Sequence, residues 1–153
     1  MPRGETDTSD PNTSTDETIV HASCVARNGR AVLIRGASGS GKSGLALQLM
    51  AVGARLVADD RTDLTAQGDD VVASCPAALV GTIEARGVGL LAAPPHGPVR
   101  LSLVVDLAQE GVARLPDCTT YPLLGRALPL VPGPYRSHLY AALRQYLLFG
   151  RRQ

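Results

Sequence analysis

Short apolar runs separated by glycine, asparagine, aspartate and proline fill the chain from residue 18 onward. The close spacing of apolar residues over 19–26 predicts a first strand. The Asn28-Gly29 pair that follows is typical of a tight hairpin turn, because both positions tolerate positive φ. The sequence RAVLIR at 30–35 then predicts the returning strand. We therefore expect the folded part of the chain to begin with a β-hairpin.

Two helices interrupt this strand pattern. Apolar positions over 43–52 fall at helical spacing, and Gly53 is well placed to end that helix because glycine adopts the left-handed conformation easily. A second helix is predicted over 135–149, where leucines recur on one face.

The remaining segments predict a β-rich domain. Strands are expected at 55–58, 63–66, 71–75, 82–83 and 99–107, and the last of these is the longest candidate for a buried strand. Prolines predict a surface loop over 92–98 and a turn-rich segment over 116–133. Strands mixed with two helices place the chain in the α/β class, with hairpins as well as crossovers.

The first 17 residues differ in composition from the rest. They carry five acidic residues and one arginine, a net charge of −4, and contain no apolar residue after Met1. Such a stretch cannot bury enough surface to offset the entropy cost of ordering, so residues 1–17 are predicted to form a disordered acidic tail. Residues 18–153 are then expected to form one domain.

Charge and cysteine content narrow the class of protein. The whole chain is +1, so residues 18–153 carry +5, spread without a basic block. This distribution does not predict a nucleic-acid partner, whereas it suits a phosphorylated ligand or an acidic protein. The three cysteines are isolated, no apolar run reaches about 18 residues, and no hydrophobic segment opens the chain. A cytoplasmic protein with reduced cysteines and no membrane span is expected.

Residues 36–43 match the phosphate-binding pattern G-x-x-x-x-G-K-[ST] without a mismatch, between a predicted strand and a predicted helix. Glycines let successive backbone N–H groups point at phosphate oxygens, and the helix N-terminus adds positive charge. Lys42 is the single lysine among 15 basic residues, and a compact ammonium suits such a loop better than a guanidinium. The predicted nucleotide-binding residues are Gly36, Ala37, Ser38, Gly39, Ser40, Gly41, Lys42 and Ser43.

A carboxylate is needed to help hold the metal ion or to act as a base, and two strand ends offer one. Asp106 ends a predicted buried strand, where an acid that only caps the strand is also common. Asp59 and Asp60 form a tandem pair after the strand 55–58, and a solvated turn is the alternative. Side chains alternate in an extended chain, so one acid of the pair would face the metal and the other the substrate.

Two further segments carry candidate chemistry. His21 is expected in the middle of the first strand, where a histidine is more often a packed or surface residue than a catalytic one. Residues 84–89 (EARGVG) combine an acid, a base and two glycines. The simple interpretation is a bulged strand end with an exposed ion pair, and the functional one makes Glu84 a further metal ligand.

Together, His21, the loop 36–43, the sequence LVADD at 56–60 and the sequence EARGVG at 84–89 resemble HPr kinase/phosphorylase in order and spacing. The chain is similar to the C-terminal catalytic domain of that family, in a short, single-domain form known from some proteobacteria. The resemblance implies a P-loop kinase-like fold: a mixed sheet with β-hairpins, a P-loop helix and a C-terminal helix. Residues 18–153 would then be a P-loop kinase domain.

The resemblance also implies roles for individual residues. It makes His21 a catalytic histidine, Lys42 the phosphate-binding lysine and Asp60 the acid that exchanges a proton with the acceptor serine. It makes Ser43, Asp59 and Glu84 the metal contacts. Arg114 is its best match to a catalytic arginine.

The implied activity is ATP- and Mg²⁺-dependent phosphorylation of a serine in the phosphocarrier protein HPr or its nitrogen-system paralogue, with phosphorolysis by inorganic phosphate as the reverse. The family also implies a homo-oligomer, usually a hexamer. Two alternatives stay open on the residues alone: a P-loop phosphotransferase for small molecules, and a non-catalytic ATP-binding regulatory sensor. A pure sensor has no need of a general base, so the tandem acids favour an enzyme.

Overall fold

The computed structural model describes residues 16–110 and 113–152. Most of the predicted acidic tail, residues 1–15, lies outside the described residues, whereas Glu17 already belongs to a strand. The described part contains eleven strands: β1 Glu17–Val20, β2 Ala22–Arg27, β3 Arg30–Arg35, β4 Arg55–Ala58, β5 Thr62–Gln67, β6 Asp70–Ser74, β7 Thr82–Ala85, β8 Gly89–Ala92, β9 Val99–Glu110, β10 Thr119–Leu123 and β11 Arg126–Gly133. Its α-helices are α1 Lys42–Ala51 and α2 Leu139–Phe149.

Nine of these strands form one mixed sheet, and the hairpin β7–β8 forms a separate two-stranded sheet. The order β1-β5-β6-β9-β3-β2-β4 runs across the large sheet, and β11 pairs with β9 and β10. β9 runs parallel to β3 and β11 but antiparallel to β6. The α/β class with a mixed sheet, hairpins and two helices is therefore confirmed.

β9 forms the centre of the sheet because its sequence is apolar on both faces. Leu103, Val104 and Val105 are completely buried. Consecutive residues of a strand point to opposite faces, so a run without alternation suits a strand covered on both sides. This position also places the carboxyl end of β9 beside that of β3, where the phosphate-loop motif begins.

The core has two parts, one on each face of the sheet. Ile34, Leu103 and Val105 pack with Leu49 of α1 and Leu143 of α2 on the helical side. On the other face, the alternate residues of β3 and β9 pack with side chains from β5, β6 and the β10–β11 hairpin. This buried cluster includes Leu33, Leu64, Val71, Val104 and Leu130. The period-two alternation in β3 explains how one strand supplies both clusters.

Both helices are fixed by their sequence. α1 ends at Ala51, two residues before the predicted left-handed glycine, Gly53, whose φ is +112°. The N–H groups of Gly53 and Ala54 donate to the carbonyls of Met50 and Leu49, the pattern that closes many helices at a left-handed glycine. α2 buries Leu139, Leu143 and Leu147, one residue per turn. Neither helix among the described residues is long and apolar enough to cross a membrane.

Several details differ from the sequence predictions, including an unpredicted strand, β8, and a β9 that extends to Glu110. The strand expected over 19–26 breaks at His21: the exposed β1 pairs with β5, whereas the buried β2 pairs with β3 and β4. The segment 116–133, predicted to be turn-rich, contains the hairpin β10–β11, joined at Leu124 and Gly125 with positive φ at both. Finally, α2 begins at Leu139 rather than at 135.

Candidate active site

The loop between β3 and α1 has the conformation that its glycines allow. φ is +83° at Gly39 and +104° at Gly41, values that side-chain-bearing residues rarely adopt. A Cβ at Gly36 would lie only 2.4 Å from Ser40 Oγ. A side chain at this position would push the Ser40 hydroxyl aside and would also have to adopt the φ of +156° found at Gly36. The backbone is therefore curled tightly at the first turn of α1, as the motif predicts.

Lys42 is almost completely buried in this loop, with 7% of its surface exposed. Its Nζ donates to the carbonyl oxygens of Gly36 (2.8 Å) and Ala37 (3.2 Å). Among the described residues no carboxylate pairs with this ammonium, although a buried charge is costly unless it is compensated. The hydroxyl of Ser40 is likewise buried without a partner in the described part of the chain. Both features fit a loop that receives an anionic ligand.

Asp59 joins four elements of the site through its carboxylate. Its Oδ1 accepts hydrogen bonds from Ser43 Oγ at the start of α1 (2.7 Å) and from Ser23 Oγ in β2 (2.8 Å). Its Oδ2 accepts a hydrogen bond from the backbone N–H of Glu84 in β7 (3.0 Å). Asp59 itself follows β4, so these three bonds fix the carboxylate beside the Ser43 hydroxyl.

Asp60 has an uncommon backbone conformation, with φ at +69°. A hydrogen bond of 2.8 Å from Arg61 N to the Asp59 carbonyl oxygen closes a three-residue turn around it. Turns of this kind with positive φ at the centre are rare and strained, and such strain concentrates at functional sites. The two acids were expected to point apart because side chains alternate in an extended chain, but the chain is not extended here. The turn at Asp60 separates the Asp59 and Asp60 side chains instead.

His21 lies beside Asp60 at the surface. The distance from His21 Nδ1 to Asp60 Oδ1 is 3.6 Å, and the two side chains are 79% and 60% exposed. The mid-strand position predicted for His21 is wrong, because His21 occupies the break between β1 and β2. That break turns the histidine toward the acid pair instead of into the sheet.

A cavity of about 600 Å³ opens between the loop and the β7–β8 hairpin. One wall comprises the phosphate loop and the start of α1, and the other comprises the end of β7 with the turn that follows. The lining residues are Ser38, Gly39, Gly41, Lys42, Ser43, Gly44, Leu47, Asp60, Glu84, Ala85, Arg86 and Val88. The structure thus brings the predicted Lys42, Ser43, Asp60 and Glu84 to one cavity.

Comparisons with known proteins bear on this arrangement. The sequence model described as "HPr Serine kinase C-terminal domain" matches residues 12–96, more than half of the chain. The matched range contains His21, the phosphate loop, both tandem acids and Glu84. The chain belongs to the HPr serine kinase C-terminal domain family.

Several curated relatives are named HPr kinase/phosphorylase. The protein from Clostridium tetani is 40% identical over 97 residues, which cover 63% of this chain and 31% of that protein. The protein from Bordetella pertussis is 40% identical over 111 residues (65% and 36%), and that from Exiguobacterium sp. is 33% identical over 132 residues (78% and 42%). The chain thus spans about a third of the length of these relatives.

A solved structure, described as the HPr(Ser) kinase/phosphatase from Coxiella burnetii, has the same fold. The two structures superpose with a TM-score of 0.73 at 26% sequence identity, over 86% of this chain and 93% of the other. The fold expected from the HPr kinase resemblance is therefore confirmed.

Two candidate residues from the sequence, Arg114 and Asp106, lie away from the cavity. Arg114 is exposed in the loop before β10 and is not among the residues that line the cavity. Asp106 is 5% exposed, and its Oδ2 pairs with Arg35 Nη1 at 3.2 Å, while Arg35 stacks over Tyr121. Of the acids considered in the sequence, Asp60 of the tandem pair lines the cavity. Asp106 lies within β9, not at its end as predicted, and its pairing with Arg35 anchors the strand that leads into the loop.

Two residues near the acid pair were not identified as site candidates in the sequence. Ser23 is a completely buried hydroxyl beneath Asp59, and its one signal is a polar residue inside an apolar strand. Cys75 lies close enough to the acids that burial, Asp63 and Asp59 together raise the pKa of its thiol. A raised pKa keeps the thiol protonated, which argues against a nucleophilic role for Cys75.

Proposed function

We propose that this chain is an ATP-dependent protein serine kinase that phosphorylates HPr or its nitrogen-system paralogue, and that the same site also catalyses phosphorolysis with inorganic phosphate. The observation that carries the proposal is the meeting of Lys42, Ser43 and Asp60 on one cavity of about 600 Å³. A phosphate-binding loop, a metal-ligating hydroxyl and an accessible carboxylate are the parts that phosphoryl transfer to a hydroxyl requires.

The loop supports ATP as the phosphoryl donor. Its backbone curls at the N-terminus of α1, where N–H groups and the helix dipole favour phosphate. Lys42 would hold the β- and γ-phosphates, since its buried ammonium has no carboxylate partner among the described residues. Gly36 lets the loop backbone pass close to Ser40, where an added Cβ would lie 2.4 Å from the Ser40 hydroxyl.

The donor set at Ser43 and Asp59 supports Mg²⁺. Both are hard oxygen ligands, and Glu84 offers a third on the opposite wall. Ser43 donates its proton to Asp59, so its lone pairs stay available for the ion. No three acidic, histidine or cysteine side chains converge among the described residues, consistent with an ion held partly by phosphates and water. When bound, Mg²⁺ supplies neutralisation of the phosphate charge.

Asp60 suits the role of general base. Its carboxylate lines the cavity and is 60% exposed, so an incoming serine can reach it. Asp60 takes the proton of the serine hydroxyl as that oxygen bonds to the γ-phosphorus and ADP leaves, and it returns the proton in the reverse direction. His21, 3.6 Å away, orients the carboxylate. Arg114 enters the proposal through the family resemblance alone.

The identity of the acceptor rests on the relatives. Proteins named HPr kinase/phosphorylase, which match this chain at 33–40% identity, favour a protein serine over a small-molecule acceptor and over a sensor without catalysis. The same resemblance supports a cytoplasmic homo-oligomer, a hexamer in the family's usual form, with no nucleic-acid partner.

Incubation with radiolabelled ATP, Mg²⁺ and purified HPr tests the proposal, with a pool of metabolites in a parallel reaction. We expect one phosphoserine on HPr, identified by mass spectrometry, and its loss when phosphate is added in excess. Asp60→Asn is expected to lower transfer at least about 100-fold while ATP still binds. Lys42→Met is expected to weaken ATP binding as well. Asp69→Asn, at the exposed β5–β6 turn, is the matched acid-to-amide control.

Label that appears only on a metabolite would instead support the small-molecule enzyme. ATP binding without transfer to either acceptor, indifferent to Asp60→Asn, would support the sensor.

A further inference from the structure

Two hydroxyl side chains are completely buried beneath the site, and they have different partners. Thr62 Oγ1 donates to the backbone carbonyl of Ala22 at 2.9 Å, a bond that joins strands. Ser23 interrupts the apolar run of β2 at 0% exposure, and its hydrogen bonds go to the acid pair. A buried hydroxyl is costly unless it is satisfied, so the partners of Ser23 indicate what it is for.

Ser23 contacts both acids through one oxygen atom. It donates its single proton to Asp59 Oδ1 at 2.8 Å, and it accepts a hydrogen bond from the backbone N–H of Asp60 at 3.3 Å. The first bond fixes a side chain and the second fixes the main chain of the next residue. One hydroxyl therefore sets the position of Asp59 and Asp60 relative to β2.

The Asp59 side of this arrangement bears on the metal. Asp59 Oδ1 accepts from Ser23 and Ser43 together, so the two hydroxyls hold the carboxylate from β2 and from α1. Without Ser23 the carboxylate would keep its bonds to Ser43 and to the Glu84 N–H but would lose its support from the sheet. The Asp60 bond bears on the proposed general base. The backbone N–H that donates to Ser23 Oγ belongs to Asp60 itself, in the strained turn where φ is +69°.

We propose that Ser23 is a positioning residue that holds the Asp59 carboxylate in place for the metal ion and the Asp60 turn in place for proton transfer. The inference rests on the proposed function for its effect on transfer, whereas its effect on metal binding can be measured without turnover. Ser23 is completely buried and is not among the residues that line the cavity, so it acts through the two acids.

Three substitutions separate hydrogen bonding from packing. Ser23→Ala removes the hydroxyl, Ser23→Cys keeps the approximate shape with a much weaker donor, and Ser23→Thr keeps the hydroxyl with an added methyl group. Thr62→Val is the matched control, since it removes a hydroxyl of equal burial that does not contact the acids. Thermal unfolding and circular dichroism establish that each full-length variant is folded before it is assayed.

The main readout is the strengthening of ATP binding by Mg²⁺, measured by calorimetry with and without the ion. We expect the ratio of ATP affinity with Mg²⁺ to ATP affinity without it to fall about tenfold in Ser23→Ala and Ser23→Cys, because one hydrogen bond to a charged group is lost. ATP affinity without Mg²⁺ should change little. Ser23→Thr is expected to retain the wild-type ratio within about twofold, as is Thr62→Val. In the transfer assay, KM for MgATP should rise in Ser23→Ala in line with the weaker MgATP binding, and kcat should fall as well because the Asp60 turn is held less firmly.

The proposal would be overturned if Mg²⁺ strengthened ATP binding in Ser23→Ala as much as in the wild type. It would also be overturned if Ser23→Cys kept this strengthening and Ser23→Thr lost it, because side-chain shape and not the hydroxyl would then determine the result. It would also be overturned if Thr62→Val lost the Mg²⁺ effect equally. A wild-type chain that binds MgATP but transfers nothing to HPr would contradict the proposed function and leave the Ser23 binding test intact.

Discussion

The strained turn at Asp60 makes a prediction in which stability and activity move in opposite directions. Asp60→Gly places the residue that adopts positive φ most easily at φ +69°. The left-handed conformation costs a side-chain-bearing residue about 1–2 kcal/mol, at the lower end for aspartate. Replacing aspartate with glycine removes this cost, but glycine loses more conformational entropy on folding, which offsets about 0.5–1 kcal/mol of the gain. The net expectation is a gain of at most about 0.5 kcal/mol in the free energy of unfolding.

The lost contact with His21 does not reverse this balance. Both side chains are mostly exposed, so water screens the pair and its contribution to the free energy of unfolding is close to zero. For a domain of this size about 0.5 kcal/mol corresponds to a rise of 1–2 °C in Tm. Transfer to HPr should fall at least about 100-fold, because the general base is gone.

Differential scanning calorimetry and the HPr transfer assay measure the two effects on the same samples. Asp60→Asn removes the charge but keeps a residue that tolerates positive φ, so its Tm should match the wild type while its transfer is lost. Asn28→Gly changes another left-handed position, in the turn between β2 and β3, and should leave transfer unchanged. A Tm for Asp60→Gly more than about 2 °C below the wild type would refute the strain argument, and normal transfer would remove Asp60 from the mechanism.

Three further outcomes follow from burial and pairing. Leu143→Ala empties a site that is 2% exposed in the helical-side core and should lower the free energy of unfolding by about 2–5 kcal/mol in urea titrations, whereas a loss below about 1 kcal/mol would contradict its packing. Asp106→Ala removes the carboxylate that pairs with Arg35, and it should lower the free energy of unfolding by about 2 kcal/mol while ATP affinity stays within about threefold. A folded Asp106→Ala variant that no longer binds MgATP would instead show that Asp106 helps to hold the metal ion. Burial raises the pKa of the Cys24 thiol above its ordinary value of 9.0, so only the unfolded chain loses this proton as the pH rises past 9. The free energy of unfolding should therefore fall with increasing pH in that range. An equal pH dependence of unfolding in Cys24→Ala would exclude Cys24 as the cause.

The parts of the site that sequence could predict are those built from consecutive residues. Residues 36–43 specify a loop whose geometry depends mainly on its own glycines, and the structure has the positive φ values that those glycines allow. The end of α1 before Gly53 is local in the same way. Asp59 and Asp60 were identified by their place after β4, which is also a local property.

The parts that sequence could not predict depend on which strands pair. The break at His21 arises because β1 and β2 join different neighbours, β5 on one side and β3 and β4 on the other, although their apolar pattern is continuous. The hairpin β10–β11 contains Pro122, Pro129 and Pro132, which suggested turns. β11 tolerates its prolines while pairing with both β9 and β10.

Ser23 and Asp106 show why a polar residue in an apolar strand is ambiguous until its partners are known. In sequence each is one polar position beside buried apolar residues, and Asp106 is the stronger candidate for a metal site because it ends a long buried strand. In the fold, the neighbouring β3 supplies Arg35 to neutralise Asp106, which turns that acid into a structural anchor. Ser23 instead lies under the turn after β4, where Asp59 needs a donor and Asp60 an acceptor. Asp59 is held by two hydroxyls and a backbone N–H instead of a basic side chain, and Asp60 lines the cavity with 60% of its side chain exposed. The distribution of hydrogen-bond partners, more than the presence of an acid at a strand end, therefore locates the site.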